Sequence, residues 1–572
     1  MTSPWGFSRK RIKSCAVLAA TPALVVIFFI QGIQFIRANA PTYDEAMHLA
    51  AGYSYLVTGD FRLEPQNPPL IKTFLAAPLF FGYRLPLRTD TMAWHEGAEY
   101  LIGHDFLFRS ALPPDHMTLL ARLPNLLLGG FLLAVIGWWA YRLWGFGAAL
   151  LAMSLACVEP NLVAHSSLVT TDTGASLFTC LAVYLLWEYR RSHSIWLLAG
   201  VGISLGIALV CKFSTILLVP IIGAIIALST FLDSTEHFSF FHERRETQLR
   251  QWLFQAAAEF LVILLVAAAF IPSAYFFQGF QSWLSGFLRF ATLAQGGQAA
   301  FFLGQVLYHG SWAYYPVAFL IKTPIGTLLL IAASLMFYRH GTSLRWHGAI
   351  FLLFPVIFIF LAMTQSKVNI GVRHILPVYP FLLILAGRLA TVAFERRRMR
   401  FLLIGMPMML TALSALRIAP HHLAYFNEFV GGPDQGYRYL SDSNLDWGQD
   451  LRGVRAYMAK ENLPIVYLSY FGTAPPSYYG IRYQYVPGSW PLEWPPPSDK
   501  VPDTAPRKVL AISVYNLQDV ANPFNPLFRW LWIRQPVAKI GYSIFIYDLT
   551  NDQEGLRRLS ETYVKAGITP PP

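Results

Sequence analysis

The sequence predicts an α-helical polytopic membrane protein carrying a small α/β domain outside the membrane. Three observations predict it. The chain is 55% hydrophobic with only 13% charged residues, too apolar for a set of water-soluble domains. Its apolar residues gather into windows of roughly 20, the length that crosses a bilayer. Its basic residues fall in short clusters between those windows, as in the loops that orient a membrane protein. The net charge of +12 is therefore read as membrane orientation rather than as a nucleic-acid surface. Cys15, Cys157, Cys180 and Cys211 all lie in or beside apolar windows, so no disulfide framework is implied.

In chain order, Arg9, Lys10, Arg11 and Lys13 precede an apolar run over 14–36. That run is long enough to span and has no evident small-residue cleavage site, so it reads as a retained first helix. Further windows at 119–141, 146–163, 173–188, 195–210, 213–232, 252–275, 317–338, 348–364, 374–393 and 401–418 bring the expectation to about eleven spans. With the N-terminus inside, Arg142, Arg190, Arg191, Arg244, Arg245, Arg250, Arg339, Arg345, Arg396, Arg397, Arg398 and Arg400 all fall on the inner side. The loop 37–118, the loop 276–316, the links 164–172 and 365–373 and the tail from 419 then face outward. The organisation expected is a transmembrane module over 1–418 and an extracytoplasmic α/β domain over 419–572.

Within the first outer loop, Ala46, Leu49, Ala50, Tyr53, Leu56 and Val57 recur at helical spacing, which predicts an amphipathic helix along the interface. Asn67, Pro68 and Pro69 break the chain before a second apolar piece at 70–81, too short to span comfortably and interrupted by Lys72. A second interfacial helix is expected there. In the tail, 451–460 reads as helix and 465–471, 508–515 and 542–548 as short strands; Trp490 to Pro506 is Pro-rich.

The chemistry centres on Asp44 and Glu45, an acidic pair placed where the first span ends. Paired carboxylates fixed at a lipid-water boundary suit proton transfer. The plainer reading is a capping box, in which Thr42 caps a helix and Glu45 reaches back to its amide. Company favours chemistry: Lys72, Arg122, Lys212, Lys322, Arg373 and His374 converge on the same expected outer face, against the positive-inside tendency. Cations gathered there suit an anion, and a lipid phosphate is the natural one. Asp172, which follows His165 in an outer link and opens a span, is weighed evenly between a site acid and a helix cap. His95, Glu96, Glu99, His104 and Asp105 lack a zinc pattern and read as a solvated loop. Residues 442–450 are dense in carboxylates but lack EF-hand spacing, so a turn and helix cap is the expectation. Tyr478, Tyr479, Trp490 and Trp494 are read as packing the small domain rather than stacking on a sugar.

Taken together, Tyr43-Asp44-Glu45, Asn67-Pro68-Pro69-Leu70-Ile71-Lys72, Arg122-Leu123-Pro124-Asn125 with Gly129, the outer link ending in Asp172, and Arg373-His374-Ile375-Leu376-Pro377 resemble motifs of the GT-C fold glycosyltransferases. The likeness is to the protein O-mannosyltransferase and aminoarabinose transferase superfamily and covers roughly residues 14–390. Asn67 stands where that family has His, and His374 where it has Tyr. The tail is similar to that of bacterial members, which implies an inner-membrane enzyme. The resemblance implies transfer of a monosaccharide from a polyprenyl-phosphate donor to an extracytoplasmic hydroxyl of a protein, lipid or glycan. Inversion at the anomeric carbon would follow, with Asp44 as base, Glu45 orienting it, and Lys72, Arg122, Lys212, Lys322, Arg373 and His374 around the phosphate. Asp172, His165 and Asn67 are further candidates. No metal is required if the cations neutralise the phosphate, a divalent ion at the carboxylates being the alternative. Two competing readings are a lipid-linked sugar flippase without covalent chemistry and a surface-polysaccharide ligase or polymerase.

Overall fold

The computed structural model describes residues 9–237, 245–337, 346–392, 394, 396–489 and 499–568. Its helices, in order, are α1 (Arg9–Ala38), α2 (Glu45–Thr58), α3 (Pro69–Tyr83), α4 (Met92–His95), α5 (Glu99–Phe108), α6 (Pro114–Trp144), α7 (Phe146–Cys157) and α8 (Pro160–Ser166). There follow α9 (Asp172–Ser192), α10 (Ile195–Cys211), α11 (Leu218–His237), α12 (Arg245–Ala274), α13 (Phe280–Gly296), α14 (Tyr314–Lys322), α15 (Ile325–Met336), α16 (Trp346–Met363) and α17 (Tyr379–Gly387). The short α18 (Arg397–Arg400) leads into α19 (Met406–Ile418), and the tail adds α20 (Leu451–Lys460), α21 (Val514–Leu517) and α22 (Gln553–Lys565).

Each apolar window of the sequence falls on helix. Among the described residues six helices are long and apolar enough to cross a membrane, or eight if two bent pairs each count as one span. The count therefore falls short of the eleven expected. Two windows are broken where the chain bends, by 64° between α7 and α8 and by 109° between α14 and α15. Three further helices, Pro69–Tyr83, Ile195–Cys211 and Gly348–Met363, are apolar but shorter. Proline explains both breaks: Pro160 and Pro324 lack the N–H that would continue the ladder. The chain is an integral membrane protein.

Helix α9 carries an acid at its start and arginines at its end. Asp172 opens α9 while Arg190 and Arg191 sit in its last turn. There Arg190 pairs with Glu259 at 3.2 Å, and nearby Arg142 pairs with Glu188 at 3.0 Å. Arg244, Arg339 and Arg345 lie outside the described residues, as do Trp490 and Trp494.

The loop 37–118 forms helices α2 and α3 where two helices were expected. Residues 45–55 of α2 are all buried, because α3 and α5 pack on either side and the polar residues of α2 find partners inside. Close packing against α3 depends on Gly52: a Cβ there would lie 2.1 Å from the Lys72 carbonyl oxygen. Lys72, which interrupts the apolar face of α3, is itself fully buried.

The tail holds strands β3 (Val466–Ser469), β4 (Tyr483–Tyr485), β5 (Val509–Ser513), β6 (Ala538–Ile540) and β7 (Ile544–Asp548), while β1 (Ala300–Phe302) and β2 (Gln305–Leu307) form a hairpin in the loop before α14. The tail sheet runs β4-β3-β5-β7-β6. Strand β3 is parallel to β4 and β5, and β7 is antiparallel to β5 and β6, with Leu510 opposite Tyr547. Helix α20 and strands β3, β5 and β7 match the expected segments. Strands β4 and β6 are three residues each, too short for an alternation to show in sequence.

What positions the site is the seam between this tail and the helices. Phe35, Ala164 and Leu168 pack with Leu423, Trp447 and Phe471 in one apolar cluster. Ala40 donates its N–H to the Gln449 carbonyl at 2.8 Å, and Tyr43 donates to the Trp447 carbonyl at 2.9 Å. Residues 442–450 are thereby laid along the link between α1 and α2.

Candidate active site

Glu45 and Arg122 form a closed unit. The Arg122 Nε and Nη2 donate to the two Glu45 oxygens at 2.8 and 2.6 Å. Nη1 donates to the carbonyls of Ile36 and Asn39, and Nη2 also to that of Ala40. All five guanidinium N–H groups are engaged. Glu45 in turn accepts from the Thr42 N–H at 2.7 Å, the Thr42 hydroxyl at 3.0 Å and the Val169 N–H at 2.7 Å. Burial alone would raise its pKa, yet Arg122 and these donors hold it below the ordinary 4.5. Glu45 reaches back to the Thr42 amide as a capping box requires, and Arg122 has no N–H left for a phosphate. Glu45 and Arg122 are thus engaged with one another and with the α1–α2 link.

Lys72 is saturated in the same way. Its ammonium donates to the Tyr55 hydroxyl at 2.8 Å and to the Glu64 and Asn67 carbonyls at 3.0 and 2.8 Å, and its charge lies 3.3 Å from the Glu64 carboxylate. Glu64 also meets His48 at 2.9 Å and the Asn67 side-chain amide at 2.6 Å. Burial would raise the Glu64 carboxyl, but His48 and Lys72 bring it down to about 2. Sequence reasoning missed this buried trio, since Glu64 sits in an irregular stretch with no periodic neighbours. Asn67 lines a cavity of about 340 Å³ with Tyr55, Arg62 and Gln278, whose lining does not include Asp44. Lys322 donates to the carbonyls of Leu423 and Asn444 at 2.8 and 2.5 Å and lies 4.6 Å from the Phe426 ring centroid, so it ties α14 to the tail.

The remaining residues do converge. Asp44 lies 3.3 Å from the Arg373 guanidinium, which lies 4.0 Å from Asp172. Asp172 is 2.5 Å from the Lys212 ammonium. Four charges of alternating sign, separated by up to 329 positions in sequence, form one chain at the ends of the helices. Lys212 reaches it because the backbone turns extended as α10 ends. Trp447 closes one side, its ring centroid 4.3 Å from the Arg373 guanidinium carbon, a cation–π contact that fixes the arginine plane.

Several buried polar atoms here have no hydrogen-bond partner among the described residues: Arg373 Nε, Asp172 Oδ2, His374 Nε2 and His165 Nδ1. Buried polar groups are ordinarily satisfied, so four orphans in one place mark where a polar ligand fits. The His165 ring is 6.5 Å from that of Trp447. From the tail, Asp442 enters the same field, within electrostatic reach of Arg373 and Asp44, and Tyr43 is pushed up to about 12 by burial and by Asp44 and Asp442. Sequence reasoning noticed the carboxylates of 442–450 but read them as a cap, having no means to place the tail against the first loop. Among the described residues no group of three or more His, Cys, Asp or Glu is arranged to hold a metal ion.

Two carboxylates, two cations and buried polar atoms without partners among the described residues lie together here. Residues 115–241 match the model of a family described as dolichyl-phosphate-mannose-protein mannosyltransferase. The matched stretch contains His165, Asp172 and Lys212, so the mannosyltransferase-like segment supplies half of the charge chain. The structure is also similar to ArnT from Cupriavidus metallidurans in the apo state, at 14% identity over 94% of this chain and 98% of that one, with a TM-score of 0.49. The same protein bound to undecaprenyl phosphate gives 13% identity, the same coverage and a TM-score of 0.48. The S. cerevisiae Pmt1-Pmt2 complex bound to the sugar donor gives 19% identity over 46% of this chain and 34% of that one, at a TM-score of 0.34. No curated protein matches the sequence.

Proposed function

We propose that this protein moves a monosaccharide from a polyprenyl-phosphate donor to a hydroxyl at the outer surface of a bacterial inner membrane, inverting the anomeric carbon. The observation that carries the reading is the chain Asp44, Arg373, Asp172, Lys212, with its unpartnered nitrogen and oxygen atoms, at the ends of the spans. The match of residues 115–241 to a mannosyltransferase family supports it.

In this reading Asp44 accepts the proton of the acceptor hydroxyl while that oxygen attacks the anomeric carbon. The bond from that carbon to the phosphate oxygen breaks, and its electron pair leaves with the polyprenyl phosphate. Arg373 and Lys212 stabilise the charge on the leaving phosphate. The Arg373 Nε, unpartnered among the described residues, is assigned to the phosphate in this reading, with His374 and His165 beside it. Asp172 fixes Lys212, and Trp447 fixes Arg373. Glu45 with Arg122, and Glu64 with His48 and Lys72, form the rigid frame that presents Asp44. In this reading Arg373 and Lys212, rather than a metal ion, face the leaving phosphate. The acceptor is a protein, lipid or glycan hydroxyl, and the tail domain beyond residue 419 forms the outer wall.

The test is release of free polyprenyl phosphate by the purified protein from a radiolabelled polyprenyl-phosphate sugar. Asp44→Asn abolishes release while leaving insertion and unfolding midpoint unchanged. Wild-type release by that variant refutes the role of Asp44, and movement of intact lipid across vesicles without release establishes a flippase instead.

A further inference from the structure

Where α19 gives way to the tail, the fold encloses a second cavity of about 290 Å³, whose lining includes Arg417, Tyr425, Glu428, Asp434 and Tyr542. Asp44, Arg373, Asp172 and Lys212 take no part in that lining. The stretch Arg397–Ile418 is long and apolar enough to cross a membrane. Arg417, one residue before its end, therefore sits at the level of the lipid headgroups.

The charges of this cavity do not cancel one another. Among the described residues Arg417 makes no hydrogen bond and no ion pair. Glu428 makes no ion pair either, and one of its oxygens accepts from the Ser414 hydroxyl at 2.6 Å. An acid and a base thus line one cavity without meeting. Asp434 lies 3.7 Å from the Lys539 ammonium and is the one acid of the lining that has a cation of its own. Tyr425 is 2% exposed, and its hydroxyl has no hydrogen-bond partner among the described residues, whereas buried polar groups are ordinarily satisfied. The Ser414 hydroxyl gives its proton to Glu428 instead.

The loop that carries Glu428 is held in place. The Asn427 side-chain amide donates to the carbonyls of Leu320 and Thr323 at 2.6 and 3.0 Å, which ties the loop to the bend between α14 and α15. Gly431 and Gly432 turn the chain back at φ +81° and +69°, a conformation that glycine adopts without steric cost. The Gly432 N–H donates to the Asn427 carbonyl at 3.0 Å. What adjoins the cavity is apolar. Leu413 and Arg417 share a face of α19, and Leu413, Leu416 and Phe429 are exposed, the last two at 74 and 76%. On a membrane-spanning helix such side chains meet acyl chains. An arginine that merely snorkels to the surface needs neither an enclosing cavity nor an acid in its wall.

We propose that this cavity binds the headgroup of a membrane phospholipid that carries both a phosphate and a primary ammonium, as phosphatidylethanolamine does. The phosphate accepts from the Arg417 guanidinium and the Tyr425 hydroxyl, the ammonium donates to Glu428, and the acyl chains lie along Leu413 and Leu416. Arg417 belongs to the span and Glu428 to the tail, so a lipid held by both clamps the tail to α19. The proposal is independent of the glycosyltransferase reading.

The experiment titrates the purified full-length protein in detergent with phosphatidylethanolamine, phosphatidylcholine or phosphatidylglycerol of the same acyl chains and counts bound lipid by native mass spectrometry. Phosphatidylcholine keeps the phosphate but has no ammonium N–H, and phosphatidylglycerol has no ammonium. The wild type binds a single phosphatidylethanolamine roughly 10-fold more tightly than either of the others, the worth of a charged hydrogen bond. Arg417→Gln weakens that binding by roughly 10-fold, while Glu428→Gln still binds lipid but no longer prefers phosphatidylethanolamine to phosphatidylcholine. Both side chains are exposed, so neither substitution opens the core. Equal binding of the three lipids by the wild type overturns the proposal, as does a preference that survives in both R417Q and E428Q. Soluble phosphoethanolamine that displaces the lipid at equal concentration also overturns it and assigns the cavity to a free zwitterion. No sugar transfer is measured, so failure here leaves the role of Asp44 untouched, and failure of that role leaves this site standing.

Discussion

Replacing Glu45 by Gln tests whether the second acid of the pair is part of the frame or of the chemistry. In the structure its two oxygens accept two bonds from Arg122, two from Thr42 and one from Val169. Both partners of the ion pair are 1% exposed, so solvent does not screen what is lost. A glutamine amide turns an acceptor into a donor facing the guanidinium, and leaves a buried positive charge compensated only by carbonyls. Removing one partner of such a pair costs about 3–5 kcal/mol, at least roughly 100-fold in the folding equilibrium. The assay is unfolding in mixed micelles with increasing SDS, followed by tryptophan fluorescence. E45Q unfolds at lower denaturant, and the double variant E45Q with R122M recovers about 1–3 kcal/mol relative to the sum of the singles. The same pair predicts acid sensitivity. Glu45 is held below its ordinary 4.5, so its contribution is fully present above that value and is lost as pH falls through the lower, folded-state one. An E45Q protein that unfolds like wild type yet transfers no sugar refutes this reasoning and returns Glu45 to the chemistry.

Two further substitutions separate the cations. Arg373→Gln removes the guanidinium between Asp44 and Asp172 and raises the donor KM by roughly 10- to 100-fold, the worth of a charged hydrogen bond; an unchanged KM in donor titrations places the phosphate elsewhere. Lys72→Met frees Glu64 from one of its two cations and lowers the SDS unfolding midpoint, with the donor KM unchanged in the protein that remains folded. A selective rise in KM shows that Lys72 leaves its buried partners to meet the donor.

Periodicity made much of the architecture readable in advance. Each apolar window lies on a helix, and α20, β3, β5 and β7 lie where their patterns placed them, because hydrophobic burial and local propensity act over neighbouring residues. The span count was less legible, since Pro160 and Pro324 bend windows that look continuous by composition. The site was legible as an inventory but not as a division of labour. Lys72, Arg122, Lys212, Lys322 and Arg373 are equivalent in sequence: each is a lone cation near an apolar segment. Three-dimensional neighbours set Lys72, Arg122 and Lys322 against carbonyls, rings and carboxylates, and leave Arg373 and Lys212 beside Asp44 and Asp172. Asp442 and Trp447 were equally hidden, as no local pattern says that the tail lies along the α1–α2 link.

By itself, then, the sequence determined that the chain lives in a membrane, which segments are helical and which lone charges sit near the ends of apolar segments. These follow from transfer free energies and short-range periodicity, which each stretch carries alone. Only the tertiary structure decided which charges cancel and which remain for a ligand, because the energy of a buried ion depends on the few atoms within hydrogen-bonding reach, and those come from parts of the chain hundreds of residues away.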